Sequence, residues 1–405
     1  MLNKPQNKRK NSVIPYFLYL YTMKKLVFLI LCLLKLEVHA IQTIELSETA
    51  EISIVTCASG PISWQAYGHS AIRIQDTSNK IDQFYNYGTF DFHDPDFLVK
   101  FVRGKLKYFV SVNSPAEFVY EYQMEQRSVT AQILELTQQE KQDVFNFLVF
   151  NSMEENKYYL YDFVYENCCT KLRDIFSDKL QPLAVEGKPQ PTIREMLDYY
   201  NKYNEWQDLG IDLLLGMRMD KKPDSTSQYF LPFDLENAFQ MTPNLVKRET
   251  TLYEAETSTI QKIKPGPGMV FWILFSILLI VSIRRGNGFA FGKTGIFLTL
   301  FITGLLGIFL LFMWIGTDHG CTKWNLNVLW LCPLNFFVSL FIWNKNISKW
   351  VLDYIFIYRM VVILLLITFA WFPQQFHVAT IPLMLSIVLI ISSILPIKAN
   401  YKLNM

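Results

Sequence analysis

Cys168 and His69 carry the chemistry that this chain makes available, and the residues around each say why. Cys168 lies in Tyr161-Asp162-Phe163-Val164-Tyr165-Glu166-Asn167-Cys168-Cys169-Thr170-Lys171-Leu172-Arg173-Asp174-Ile175-Phe176. From Cys169, apolar residues recur at Leu172, Ile175, Phe176 and Leu180, the spacing of one helix face. Asn167 stands where an N-cap belongs, its side-chain oxygen available to the first free amides. Cys168 is then the first helical residue. A thiol there faces the positive end of the helix dipole and unpaired N–H groups, both of which favour thiolate. Cys169 points one residue round, toward the apolar face, and reads as core. Lys171 and Arg173 fall on the opposite face and are expected in solvent.

A thiolate nucleophile needs a base or a cationic partner, usually histidine. Between Ala40 and the apolar last third the chain offers two, His69 and His93. His69, in Tyr67-Gly68-His69-Ser70-Ala71, opens an alternating run, so a strand would hold it, and Gly68 permits close approach of another backbone. His93, in Phe92-His93-Asp94-Pro95-Asp96, reads as a solvated turn residue. A strand histidine taken alone is more often structural; beside a cysteine at a helix N-terminus it becomes the candidate base. For a third, orienting group the neighbouring strand offers Asn86, with Asp91 second. The set is a thiol, an imidazole and an amide, so no cofactor and no metal is expected.

The elements that must position these residues are short. Ile52–Cys57 is a β-rich run, residues 70–76 alternate as a half-buried strand does, and 83–87 looks like its partner across Ser78-Asn79-Lys80. Residues 107–112 and 127–135 offer two further strands. Leu136 to Asn151 turns helical: Thr137 can cap, Glu140 closes a capping box, and Val144, Phe147 and Leu148 share a face. The exported part therefore reads as α+β, an antiparallel sheet flanked by helices.

The last third is different. Residues 269–397 hold nine charged side chains, against 38 Lys and Arg and 36 Asp and Glu in the whole 405-residue chain. Five apolar segments, near 269–283, 295–316, 326–343, 351–372 and 378–397, follow the breaker-rich Lys264-Pro265-Gly266-Pro267-Gly268. Arg284, Arg285, Lys293, Lys345, Lys349, Lys398 and Lys402 fall on one side and only Lys323 on the other, which puts the C-terminus in the cytoplasm. At the other end Met23-Lys24-Lys25, the apolar Leu26 to Leu34 and Val38-His39-Ala40 read as an export signal cleaved after Ala40, with residues 1–22 an upstream extension before a start at Met23. The expected organisation is 1–40 extension and signal, 41–263 exported thiol domain, 264–268 hinge, and 269–405 a membrane domain of five transmembrane helices. An exported domain with three cysteines, Cys57, Cys168 and Cys169, leaves at least one thiol unpaired. A net charge of +2 supplies no basic excess for a phosphate backbone, so nucleic acid is not an expected partner.

A strand histidine 99 residues before an Asn-Cys at a helix N-terminus resembles the circularly permuted papain-like fold, which includes NlpC-type peptidases and lecithin:retinol acyltransferase relatives. More closely, Tyr67 to Arg73, Tyr85-Asn86-Tyr87-Gly88-Thr89-Phe90-Asp91-Phe92 and Tyr161 to Asp174 resemble the Lnb-type lipoprotein N-acyltransferases of Bacteroides and their relatives. So do Gly210-Ile211-Asp212-Leu213 with Gly216 and Asp220, Phe230-Leu231-Pro232, His319, Asn325-Leu326-Asn327, Leu329-Trp330-Leu331 and Pro333-Leu334. The likeness covers nearly the whole chain after Ala40. Cys169 and Cys332 depart from it, standing where Thr and Asn would be expected.

The resemblance implies a permuted papain-like exported domain, and acyl transfer onto the N-terminal cysteine of lipoproteins through a thioester on the enzyme's cysteine; diacylated lipoproteins and membrane phospholipid are the expected substrates, either of them a source of the acyl group. It implies Cys168 as nucleophile with His69 as its base, in a multi-pass protein of the bacterial inner membrane whose N-terminal domain is periplasmic. Tyr67, Asn167 and His319 are the candidate substrate-binding residues; for Asp318 and His319 an ordinary interfacial loop is an equal reading. A papain-like cysteine peptidase or amidase acting on cell-wall peptides shares the same dyad, and a non-catalytic scaffold is a third reading. Acyl donor and oligomeric state are not legible.

Overall fold

In a computed structural model of the chain, residues 44–179, 182–184, 190–256, 265–285 and 291–394 are described. The expected leader, Leu180, Lys264, Lys398 and Lys402 lie outside the described residues.

Seven antiparallel strands form one sheet: β1 (Glu51–Cys57), β2 (His69–Asp76), β3 (Ile81–Thr89), β4 (Lys107–Asn113), β5 (Val129–Leu134), β6 (Tyr158–Leu160) and β7 (Val246–Tyr253), in the order β6-β4-β3-β2-β1-β5-β7. Alternation along the central strands gives the sheet two apolar faces. Ile52, Ile54, Ile72, Ile74, Tyr85 and Tyr87 pack beneath helices α3 (Gln138–Asn151), α4 (Cys168–Lys179) and α7 (Pro232–Met241). Val55, Cys57, Ala71 and Phe84 pack against Phe118 and Tyr122 of α2 (Pro115–Met124). The two outer strands escape the sequence pattern for physical reasons: β6 has three residues, and β7 is an edge strand whose Lys247, Arg248 and Glu249 are exposed. The α3 capping box forms as expected, with Thr137 Oγ1 accepting from the Glu140 amide and Glu140 Oε2 from the Thr137 amide. Val144, Phe145 and Leu148 are its buried residues, and Phe147 is only partly covered.

Among the described residues, three apolar helices are long enough to cross a bilayer: α8 (Pro267–Arg285), α9 (Gly292–Ile315), and α11 (Lys349–Thr368), whose apolar run continues to Trp371. A fourth, α12 (Thr380–Ser392), is shorter. The segment expected to be the third spanning helix, 326–343, is not one continuous helix. It is a 3₁₀ turn at Leu326–Leu329, a break at Pro333, and the short α10 (Leu334–Ser339). Proline cannot donate to the helix ladder, and the break lies hard against α9. A Cβ on Gly304 would sit 2.0 Å from the Phe336 nitrogen, and one on Gly307 1.9 Å from the Leu331 oxygen. Side chains answer the polar groups of the break: Tyr358 OH donates to the Trp330 carbonyl, Asn335 Nδ2 to Thr303 Oγ1, and Tyr354 OH to Asn335 Oδ1. Irregular backbone in an apolar region survives only where protein satisfies it so.

Between the sheet and the apolar helices lie α5 (Ile193–Asn201) and α6 (Glu205–Leu214). The last carbonyls of α6 are taken up by buried amides of the membrane part. Asn325 Nδ2 donates to Leu213 and Leu214 oxygens at 2.7 and 3.1 Å, Asn327 Nδ2 to Asp212 O at 3.3 Å, and Gln374 Nε2 to Leu215 O at 3.3 Å. The Gly216 and Met217 amides donate to Cys321 and Trp324 carbonyls. Arg194, 1% exposed, reaches Asp212 and Asp220 at 2.7 Å each.

Candidate active site

Asn167 caps α4. Its Oδ1 accepts from the Thr170 amide at 2.9 Å, while Thr170 Oγ1 accepts from the Asn167 amide at 2.8 Å, a reciprocal cap that satisfies two otherwise free donors. Its Nδ2 donates to the Phe163 and Phe230 carbonyls, so this residue is committed to holding three segments together. Asp162 prepares the approach: Oδ1 accepts from the Val164 and Tyr165 amides, and Oδ2 from the Gly320 amide of the membrane part. The result is a fixed entry into a helix whose first residue is Cys168.

His69 begins β2. Gly68 before it has φ +78°, and a Cβ there would meet the Cys57 carbonyl oxygen at 2.7 Å. Across from it, the β3–β4 register shifts between Tyr87 and Thr89, and Gly88 sits at that irregularity with φ +97°. A Cβ on Gly88 would lie 3.6 Å from His69 Cε1 and 3.9 Å from Cys168 Cβ, so this missing side chain marks where ring and thiol converge. His69 Nε2 lies 2.6 Å from Asn86 Oδ1. An amide oxygen only accepts, so Nε2 carries a proton and Nδ1 is left for the thiol.

The electrostatics follow the geometry. Cys168 is held well below the ordinary thiol value, first by a hydrogen bond from Cys169, then, against desolvation, by the His69 charge, the His69 hydrogen bond and the Ser70 amide. His69 is raised: desolvation, the largest influence, lowers it, and the Cys168 thiolate and bonds to Cys168 and Asn86 outweigh that. The pair therefore favours thiolate and imidazolium. Cys169 goes the other way, raised well above the ordinary value by burial and then by its neighbour Cys168. Its sulfur is fully buried, 3.8 Å from Cys168 Sγ and 3.5 Å from Ser70 Oγ. The described cysteines are all free thiols.

The other sequence candidates are distributed around this centre. Tyr67 packs its ring on Phe163 and Tyr200 and accepts a hydrogen bond from Asn201 Nδ2 at 2.9 Å. Asp91 does not reach His69; it bonds the exposed His93. His319 is not brought to the thiol either: its Nε2 bonds the Phe101 and Val102 carbonyls at 3.0 and 3.1 Å, at the end of α1 (Phe97–Val102). Arg173, expected in solvent, is 7% exposed, because its guanidinium reaches the Thr226 and Gln228 carbonyls. Lys171 pairs with Glu166 and covers the Tyr159 ring. Gly88, Ser70 and Asp162 had no assigned role in the sequence reading; the Gly in Tyr87-Gly88-Thr89, following a strand-forming run, was the one available signal.

A helix-borne thiol with an amide-oriented strand imidazole, on a sheet domain fastened to apolar helices, defines a membrane-attached thiol-dyad protein. Family models for the Lnb N-terminal periplasmic domain and the Lnb transmembrane domain match residues 42–199 and 258–402. The chain belongs to the Lnb-type family, and is an inner-membrane protein with a periplasmic N-terminal domain. No curated protein and no solved structure matches it.

Proposed function

We propose that this protein is a thiol-dependent lipoprotein N-acyltransferase working at the outer face of the inner membrane. The observation that carries the reading is the Cys168–His69–Asn86 arrangement on a domain bonded to the membrane helices. Family membership supports lipoprotein biogenesis as its setting. A strand histidine ahead of the cysteine helix fits a permuted papain-like domain, and on this reading α8, α9, the broken 326–343 segment, α11 and α12 are the five crossings, three of them supported by helix length.

Cys168 thiolate attacks the ester carbonyl of a membrane lipid. The oxyanion meets the Cys168 N–H at the helix start, and His69 gives its proton to the departing alcohol oxygen as the thioester forms. The neutral amine of a lipoprotein's terminal cysteine then attacks the thioester. His69 takes the amine proton, the amide forms and the thiolate leaves. Asn86 holds the imidazole throughout, and Asn167 fixes the start of the Cys168 helix. Lipid ester is a donor that cannot leave the bilayer cheaply, at ~0.8 kcal/mol per exposed CH₂. The nucleophile must therefore wait at the surface.

The test is mass spectrometry of one lipoprotein's N-terminal peptide from cells with the gene, without it, and with Cys168→Ala. An acyl chain on the terminal amine only with the intact gene is expected. Identical peptides in all three strains would remove lipoproteins as substrate and return the peptidase reading.

A further inference from the structure

Helix α1 (Phe97–Val102) has the sequence Phe-Leu-Val-Lys-Phe-Val and no buried residue; Leu98 is 69% and Phe101 48% exposed. Something apolar should cover such a face. Its position says what. The carbonyls of Phe101 and Val102 are bonded by His319, and the Arg103 carbonyl by the Asp318 amide, immediately beyond the outer end of α9. An element fastened there stands at the level of the membrane surface. From Phe97 to Lys107 the charged residues are Lys100, Arg103, Lys105 and Lys107; Lys100 is held by Asp94 and Lys105 lies 3.7 Å from Asp318, which leaves Arg103 and Lys107 to suit lipid phosphates.

Behind the helix, aromatic rings continue toward the thiol. Phe101 stacks on Phe97 at 6.0 Å, Phe97 on Phe90 at 5.7 Å, Phe90 meets Tyr108 at 5.1 Å, and Tyr108 stacks on Tyr161 at 4.2 Å. Tyr159, two residues before Tyr161, and Cys168 pack against the same core, and burial and then the Cys168 charge push the Tyr161 phenol up.

We propose that α1 is a lipid-facing lip, and that this ring row guides an acyl chain of an outer-leaflet phospholipid to Cys168. Leu98, Val99 and Phe101 enter the acyl region, and Arg103 and Lys107 meet the headgroup phosphates. The assignment of the chain as the transferred group rests on the acyltransferase reading; the contact with lipid does not.

The experiment uses the full-length Cys168→Ala protein in phosphatidylglycerol–phosphatidylethanolamine vesicles, with p-benzoylphenylalanine replacing Leu98 or, in a second protein, Phe101. After irradiation, intact mass should show phospholipid adducts at both positions and none at Tyr120, an equally exposed position on α2. No adduct at either position, or crosslinks to a second copy of the chain, overturns the proposal. Because the crosslink needs no thioester, adducts here together with no N-acylation of lipoproteins by the intact gene would sink the reaction and leave the lip standing. With Cys168 restored, Leu98→Asp with Phe101→Asp should lower acyl-enzyme formation from vesicle lipid at least tenfold. Iodoacetamide labelling of Cys168 and acylation by a short water-soluble ester should stay unchanged. An equal loss on the soluble ester would mean that the helix only supports the fold, and would remove the guiding role.

Discussion

Cys168 and His69 move each other's titration in opposite directions, and the effect is measurable as a rate. An ordinary thiol, with a pKa near 8.5, loses about tenfold in thiolate for each pH unit below that value. Cys168 sits well below its ordinary value and His69 above its own, so the thiolate persists as pH falls until Cys168 itself takes a proton. Iodoacetamide alkylation of Cys168 should drop far less from pH 8 to pH 6 than the roughly hundredfold of an ordinary thiol. A profile that tracks an ordinary thiol would refute the ion pair. Asn86 bonds His69 Nε2 and raises its basicity; Asn86→Ala should move the alkylation profile toward higher pH and slow acyl transfer about tenfold, the worth of one hydrogen bond of ~1–1.5 kcal/mol. At this scale much was legible. The Asn167 cap and the Cys168 and Cys169 positions follow from helical spacing within a few residues, and Asn86 from adjacency of strands. Arg173 was misread because its partners, the Thr226 and Gln228 carbonyls, are 53 and 55 residues away and leave no local trace.

At the scale of elements, the central strands and α3 were legible because alternation and a capping box are local patterns. That the apolar segment 326–343 is broken rather than one helix was not, since hydropathy counts side chains and is blind to backbone contact. Pro333 in 326–343 was visible, but the facing Gly304 and Gly307 acquire meaning only once α9 lies against the break. The same blindness covers α5 and α6, where sequence shows scattered acids and the structure brings Asp198, Asp208 and Asp212 near His377. Burial, and then Asp212 and Asp208, push Asp198 up to about 7. The unfolded chain would release this proton near pH 4. Between about pH 4 and 7 the native state therefore binds the extra proton, and stability falls as pH rises through that window. Asp198→Asn should remove the loss, so its Tm advantage over the parent should grow from pH 5 to pH 8. An advantage that stays constant or shrinks would contradict the assignment.

At the scale of the whole molecule, a reactive thiol becomes useful to a membrane lipid only if it is held in one orientation at the surface. The seam from α6 to the membrane part supplies this with buried amides on helix-end carbonyls, which cannot be left unpaired without a penalty of about 1–3 kcal/mol each. Nothing in the composition of residues 205–220 or 320–327 announces that they meet; their motifs were visible as a family pattern, and their shared purpose was not. Gly216 is the closest point. A Cβ there would lie 1.8 Å from the Lys323 carbonyl oxygen and 2.7 Å from its carbon, both backbone atoms with no flexible end to move aside. Gly216→Val must therefore push the 320–325 loop away, breaking the Gly216 and Met217 bonds and drawing the Gly320 amide off Asp162. The sheet core and the His69–Asn86 contact lie on other elements and should persist. In vesicles, the variant should keep Cys168 alkylation within about twofold of the parent and lose at least tenfold in acyl-enzyme formation from lipid, while a protease cuts the 316–325 loop faster. Equal losses in alkylation and acylation would mean that Gly216 serves the fold of the dyad itself. Unchanged acylation would mean that the thiol finds its lipid without the seam.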